Sequence, residues 1–147
     1  QLKTKLPVDD SVIVGAGDDC AVIDAGIPGK WQLHKTDAVV EGIHFTRETD
    51  PKKVGRKAIA RALSDIAAMA GTPRWATISL GLPDSFTGEL VDMIYEGITS
   101  FAKQKDVAIV IHRRTRAVFT TLHVVLSTWH NSTSPFFRPE SVLPAGY

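Results

Sequence analysis

Several short stretches of this sequence carry side chains that could do chemistry. Gly15-Ala16-Gly17-Asp18-Asp19 sets adjacent carboxylates behind glycines. Glycine lets a backbone turn tightly and approach a ligand. Neighbouring carboxylates repel each other unless a cation or a basic group neutralises them. Magnesium takes oxygen ligands and keeps waters and phosphate oxygens in its shell, so it would suit such a pair. Gly and Asp are equally the residues of solvated turns, and on this stretch alone the turn is the better reading. Thr36-Asp37 closes an apolar run and is followed by Val40-Glu41-Gly42-Ile43-His44-Phe45. A carboxylate at a strand end can join a metal cluster, and His44 can hydrogen-bond a phosphate. Taken alone, His44 reads as a structural or surface histidine. Asp65 stands in Leu63-Ser64-Asp65-Ile66-Ala67-Ala68-Met69, in the middle of a helical pattern at the edge of its apolar stripe. A carboxylate there needs a partner. A metal would serve, and so would a salt bridge to Arg61 or a lysine. Finally, His112-Arg113-Arg114-Thr115-Arg116 leaves an apolar strand. Basic side chains at a strand end can bind phosphate or keep a sheet edge from pairing.

The elements that must position these residues follow from hydrophobic period. Ser11–Val14 and Cys20–Ile23 read as short strands separated by the glycine-aspartate turn. Trp31–Lys35 alternates apolar and polar, as a half-buried strand does, and ends at Thr36-Asp37. Asp50-Pro51 is a helix start, with Asp as cap and Pro in the first turn. Val54, Ala58, Ala62, Ile66 and Met69 recur at helical spacing, and Gly71-Thr72-Pro73 stops the run. A strand over Trp75–Leu82, a helix over Thr87–Lys105 and strands over Val107–Ile111 and Val118–Ser127 complete the order. The expected fold is α+β, a mixed sheet with helices packed on one face. The domain is expected over residues 1–128, with a loose polar start. Residues 129–147 hold three prolines together with Asn, Ser and Thr and read as a coil or tail.

Composition limits the alternatives. The 147 residues are 44% hydrophobic and 22% charged, which supports a packed core and argues against disorder. A net charge of +1 gives no nucleic-acid footprint. A single cysteine, Cys20, excludes an intrachain disulfide and a cysteine zinc site, and it fits a reducing, cytoplasmic setting. No apolar run is long enough to span a membrane, and no signal peptide is visible.

Together the quoted pieces resemble the thiamine-monophosphate kinase family, of the aminoimidazole ribonucleotide synthetase-like superfamily. The resemblance is carried by Gly17-Asp18-Asp19-Cys20-Ala21, by Thr36-Asp37 through His44-Phe45, and by Lys57-Ala58 through Leu63-Ser64-Asp65 to Thr72-Pro73, in family order and spacing. It runs from about Val14 to Val110, with weaker likeness near Phe119 to Leu126. It implies the N-terminal domain of that fold, with its sheet pairing across a homodimer. It also implies transfer of the γ-phosphoryl group of ATP to thiamine monophosphate, giving thiamine diphosphate, with Mg2+ on the triphosphate. By the same resemblance Asp18, Asp19, Asp37 and Asp65 would be metal ligands with Thr36 assisting. His44 would sit near the substrate phosphate. Asp18, Asp65 and Arg116 would serve the nucleotide.

Two departures stand against it. The family has Gly-Gly-Asp-Thr-Thr-Arg where this sequence reads Ile111-His112-Arg113-Arg114-Thr115-Arg116, so Arg113 stands where a metal-binding aspartate belongs. A guanidinium there removes a ligand and repels a cation. The family also has a C-terminal α/β domain that these residues do not reach. The expectation is therefore an enzyme domain with weak or no kinase activity by itself. The competing readings are a non-catalytic domain that dimerises and binds nucleotide or metal, and another ATP-using branch of the superfamily.

Overall fold

In the computed structural model, which describes residues 6–118, 120–131 and 133, local signals decide where each element begins. The expectations for residues 1–5, for Phe119 and for the tail from residue 134 onward lie outside the described residues. Asp50 accepts a hydrogen bond from the Lys52 N–H at 2.9 Å, and Pro51 opens α1, Pro51–Ala68. Thr87 caps α2, Gly88–Gln104, through the Leu90 N–H. The strands are β1 (Val12–Val14), β2 (Ala21–Ile23), β3 (Lys30–Val40), β4 (Trp75–Leu82), β5 (Ala108–Arg116) and β6 (Thr121–Asn131). They form a six-stranded sheet in the order β1-β2-β3-β6-β4-β5, mostly antiparallel, with β4 and β5 parallel across α2. This is the expected mixed α+β architecture.

Both helices cover one face. Leu33 and Val39 of β3, Leu122, Val124 and Leu126 of β6, and Ile78 and Leu80 of β4 are almost fully buried there. They pack with Ile59, Ile66, Ile94 and Ile98 of the helices in one core. The helices cross at glycines. A Cβ on Gly55 would stand 2.0 Å from the Ile94 carbonyl oxygen, and one on Gly97 would stand 2.0 Å from that of Lys52. No larger side chain lets these backbones approach so closely.

Several boundaries differ from expectation, each for a tertiary reason. β3 does not end at Lys35. It runs to Val40 because β6 pairs with it over its whole length, from Lys30↔Asn131 to Val40↔Thr121. Thr36 and Asp37 therefore lie inside a strand rather than closing one. The same pairing carries β6 through Trp129, His130 and Asn131, so the tail does not begin at residue 129. β5 continues through the basic run to Arg116, because β4 offers it a parallel partner as far as Leu82. The end of α1 also works differently from a glycine stop. Ala70 takes the left-handed conformation, at φ 54°. Gly71 is needed for space, since a Cβ there would lie 2.6 Å from Leu33 Cδ1. Among the described residues no helix is long and apolar enough to cross a membrane.

Candidate functional site

The site grows from two periodicities that meet. Alternate residues of a strand share a face, so Leu33, Lys35, Asp37 and Val39 all point toward the helices. The sheet register puts Lys35 in the same row as Leu126 and Asp37 in the same row as Val124, both buried core residues. Charges in such rows need partners. α1 supplies them from positions one turn apart. Asp65 forms an ion pair with the Lys35 ammonium. Arg61 donates from Nε to Asp37 Oδ2 at 3.0 Å and from its terminal nitrogen to Oδ1 at 3.3 Å. The result is a crossed pair of ion pairs between β3 and α1. Its side chains are mostly shielded, with Asp37 17% and Lys35 19% exposed, while Arg61 is 42% exposed.

The electrostatics follow from these contacts. Burial alone would raise the Asp37 carboxyl. Hydrogen bonds from Arg61 and the Ala38 N–H, with the Arg61 and Lys35 charges, outweigh it and hold Asp37 below the ordinary carboxylate value. Burial likewise works against the Lys35 ammonium, but the bond to Asp65 and the nearby carboxylates push its pKa up. Cys20 is 2% exposed. Burial pushes its thiol up to about 11, with Lys35 pulling down and Asp65, Asp19 and Asp18 pushing up. That protonated thiol is no nucleophile at neutral pH. Asp18 and Asp19 directly precede Cys20 in the sequence, which is why their charges reach its thiol.

The expected site residues are thus distributed as follows. Asp37 and Asp65 meet on one face, each in an ion pair. Asp18 and Asp19 are exposed in the turn after Gly17, whose φ of 127° favours glycine. Asp18 Oδ1 caps the Asp19 N–H at 2.8 Å. Thr36 is exposed on the opposite face of β3 from Asp37, so its side chain does not join the cluster. His44 closes its own loop. Its Nδ1 accepts the Val40 N–H at 3.1 Å and its carbonyl accepts the Lys57 ammonium. That acceptor role puts the ring proton on Nε2. Arg116 reaches Asp84 at 3.3 Å, with both side chains largely exposed. Among the described residues no three His, Cys, Asp or Glu side chains gather tightly enough to hold a metal as they stand. The donor chemistry, carboxylate oxygen throughout, still suits magnesium.

Sequence reasoning offered Asp65 a salt bridge to Arg61 or to a lysine it did not name; the lysine is Lys35, and Arg61 turns to Asp37 instead. The signal was available: a Lys and an Asp on one strand face, and an Arg and an Asp one turn apart on the next helix. It also missed the Glu41 anchor. Glu41 takes the Arg47 guanidinium at 2.6 Å and the Thr120 N–H at 3.1 Å, tying the loop after β3 to the start of β6.

Comparison with known proteins supplies the lineage. Residues 17–113 match the family model described as AIR synthase related protein, N-terminal domain. The chain belongs to this family. Among curated AIR synthase-related proteins, the thiamine-monophosphate kinase of Haemophilus influenzae is 44% identical over 78 residues, covering 52% of this chain and 23% of that protein. The thiamine-monophosphate kinase of Synechococcus elongatus is 35% identical over 116 residues, covering 78% of this chain and 35% of that protein. The solved structure of AaThiL complexed with AMPPCP and TMP matches with a TM-score of 0.74 at 29% identity, over 84% of this chain and 38% of that one. This chain therefore spans a quarter to two fifths of the length of these relatives. The hydrogenase maturation protein HypE in complex with ATP, at 17% identity and a TM-score of 0.58, shares the fold alone.

Proposed function

We propose that this domain is the nucleotide- and magnesium-binding part of a phosphotransferase that carries the γ-phosphoryl group of ATP to thiamine monophosphate. The observation that supports the reading is that Asp37 of β3 and Asp65 of α1 both stand at the strand–helix contact, in a chain related to thiamine-monophosphate kinases. Phosphoryl transfer asks a protein mainly to position its reactants and neutralise charge. Bound magnesium would supply that neutralisation. Asp18, Asp19, Asp37 and Asp65 would hold it, with Thr36 able to contribute only through its main chain. His44 would present its Nε2 proton to the substrate phosphate, and Arg116 would offer a guanidinium to the nucleotide. The open face of the sheet carries exposed Ile111 and Val125, both in the row of Thr77, and we assign it to pairing with a second copy of the chain.

A second reading is favoured by a specific feature. Arg113 stands in place of the family's aspartate, and Lys35 and Arg61 already occupy two of the carboxylates. A domain that binds nucleotide weakly without turning it over fits that charge pattern, so this chain alone is expected to transfer little or no phosphate.

Calorimetry with Mg2+–AMPPCP tests the leading reading. Binding is expected, and it should fall at least about tenfold with Asp18→Asn or Asp65→Asn, as for loss of a charged ligand. Binding that ignores both substitutions and the removal of magnesium would rule out the carboxylate assignment. A phosphate-transfer assay on thiamine monophosphate then separates the two readings.

A further inference from the structure

The two carboxylates best placed for a metal are already neutralised inside the fold. Lys35 holds Asp65, and Arg61 holds Asp37 through two hydrogen bonds. The four formal charges cancel. A dication entering this cluster gains two carboxylates but meets two cations that are fixed beside them. Coulomb repulsion at such separations is large in a partly shielded site. Neither basic group is placed by accident. Lys35 is held in a core row by its strand register, and Arg61 and Asp65 are locked one turn apart on a helix packed against that strand.

We propose that Lys35 and Arg61 are resident counter-cations that compete with divalent metal for Asp65 and Asp37 and so set the metal affinity of the site. The proposal rests on the reading that these carboxylates belong to a metal site. Its physical content is a competition. Metal can take the carboxylates only as the basic side chains let go, and both have long stems that pivot without moving the backbone. Arg61, 42% exposed, has solvent to swing into. Lys35, 19% exposed, has less, which makes it the stronger competitor. An incoming phosphate would offer both a replacement anion.

The experiment compares Lys35→Met and Arg61→Met with the unaltered chain, each titrated calorimetrically with MgCl2 alone. Magnesium is expected to bind at least about tenfold more tightly to each variant, because one competing charge is gone. Lys35→Arg should stay near the unaltered affinity. A purely structural role would weaken metal binding on substitution, never strengthen it. Equal or weaker magnesium affinity in the variants overturns the proposal. Should Lys35→Met fail to give a folded circular-dichroism spectrum, Arg61→Met carries the same comparison. A parallel titration of the unaltered chain with Mg2+–AMPPCP keeps the two ideas apart. Its failure would count against the nucleotide-binding function, while the magnesium-only comparison would still decide the counter-cation role.

Discussion

Charge is handled in opposite ways at β3–α1 and at β5. In the first region Lys35 and Asp37 stand in core rows and each is matched across the strand–helix contact. In the second, His112, Arg113, Arg114, Thr115 and Arg116 are all exposed along an edge strand. His112 meets the Tyr95 ring edge-on at 5.7 Å, and Arg116 reaches a carboxylate that is itself 79% exposed. Shielded pairs hold elements in register, because breaking one strands a charge away from water. Exposed pairs contribute little. The difference teaches that a charged residue's neighbours on the same element say less about its role than the rows and turns that face it.

The most severe way to break the comparison is to move α1 off the sheet. Gly97→Ala would place a methyl 2.0 Å from the Lys52 carbonyl oxygen, a backbone atom that cannot step aside alone. The helices must separate, and Arg61 and Asp65 move with them. We expect a loss of about 1–3 kcal/mol, the usual range for overpacking, read by urea unfolding. A loss below about 0.5 kcal/mol, the range of ordinary surface changes, would show that the close crossing is not required.

Next in size is the Lys35–Asp65 pair itself. A double-mutant cycle with Lys35→Met and Asp65→Asn should return a coupling of about 1–2 kcal/mol, within the range for contacting residues. A similar cycle on Arg116 and Asp84 should return near zero. The two ion pairs of this region also have a pH signature. Asp37 is held below its ordinary 3.8, so its contribution is complete above that value and is lost as pH falls through the depressed one. Lys35 is held above its ordinary 10.5, so its contribution is complete below that value and is lost as pH rises through the elevated one. Unfolding free energy measured from acid to alkaline pH should therefore decline at both ends and hold between them. Coupling that is equal in the two regions would erase the distinction drawn here.

How much of this was legible in the sequence depends on whether a local signal spoke for each feature. Both helices were, because Asp50-Pro51 and Thr87 are caps and the apolar spacing is regular. The α+β order was too. The length of β3 was not. Polar Thr36-Asp37 read as a strand end, since only the distant β6 reveals that the strand continues. For the same reason Trp129–Asn131 read as tail. Asp65 was correctly read as a carboxylate in need of a partner, yet its partner came from Lys35 on another element. The resemblance gave Thr36 a part beside Asp37, whereas neighbours on a strand point to opposite faces.

The smallest structural effect, and a sharp test of the contrast, belongs to Arg113. Its side chain stands in solvent on an edge strand, so Arg113→Asp should change unfolding free energy by no more than about 0.5 kcal/mol. The register pairs Arg113 with Ser79, in the row of His123 and Ala38, so its side chain leaves the sheet on the face opposite Asp37 and Asp65. Magnesium affinity is therefore expected to stay level along with stability. The ion-paired residues of β3 and α1 should do the reverse, losing stability whenever they are exchanged. A rise in Mg2+–AMPPCP affinity on Arg113→Asp, measured by calorimetry, would show instead that the basic run of β5 does act on the acidic cluster, although two strands and the sheet itself stand between them.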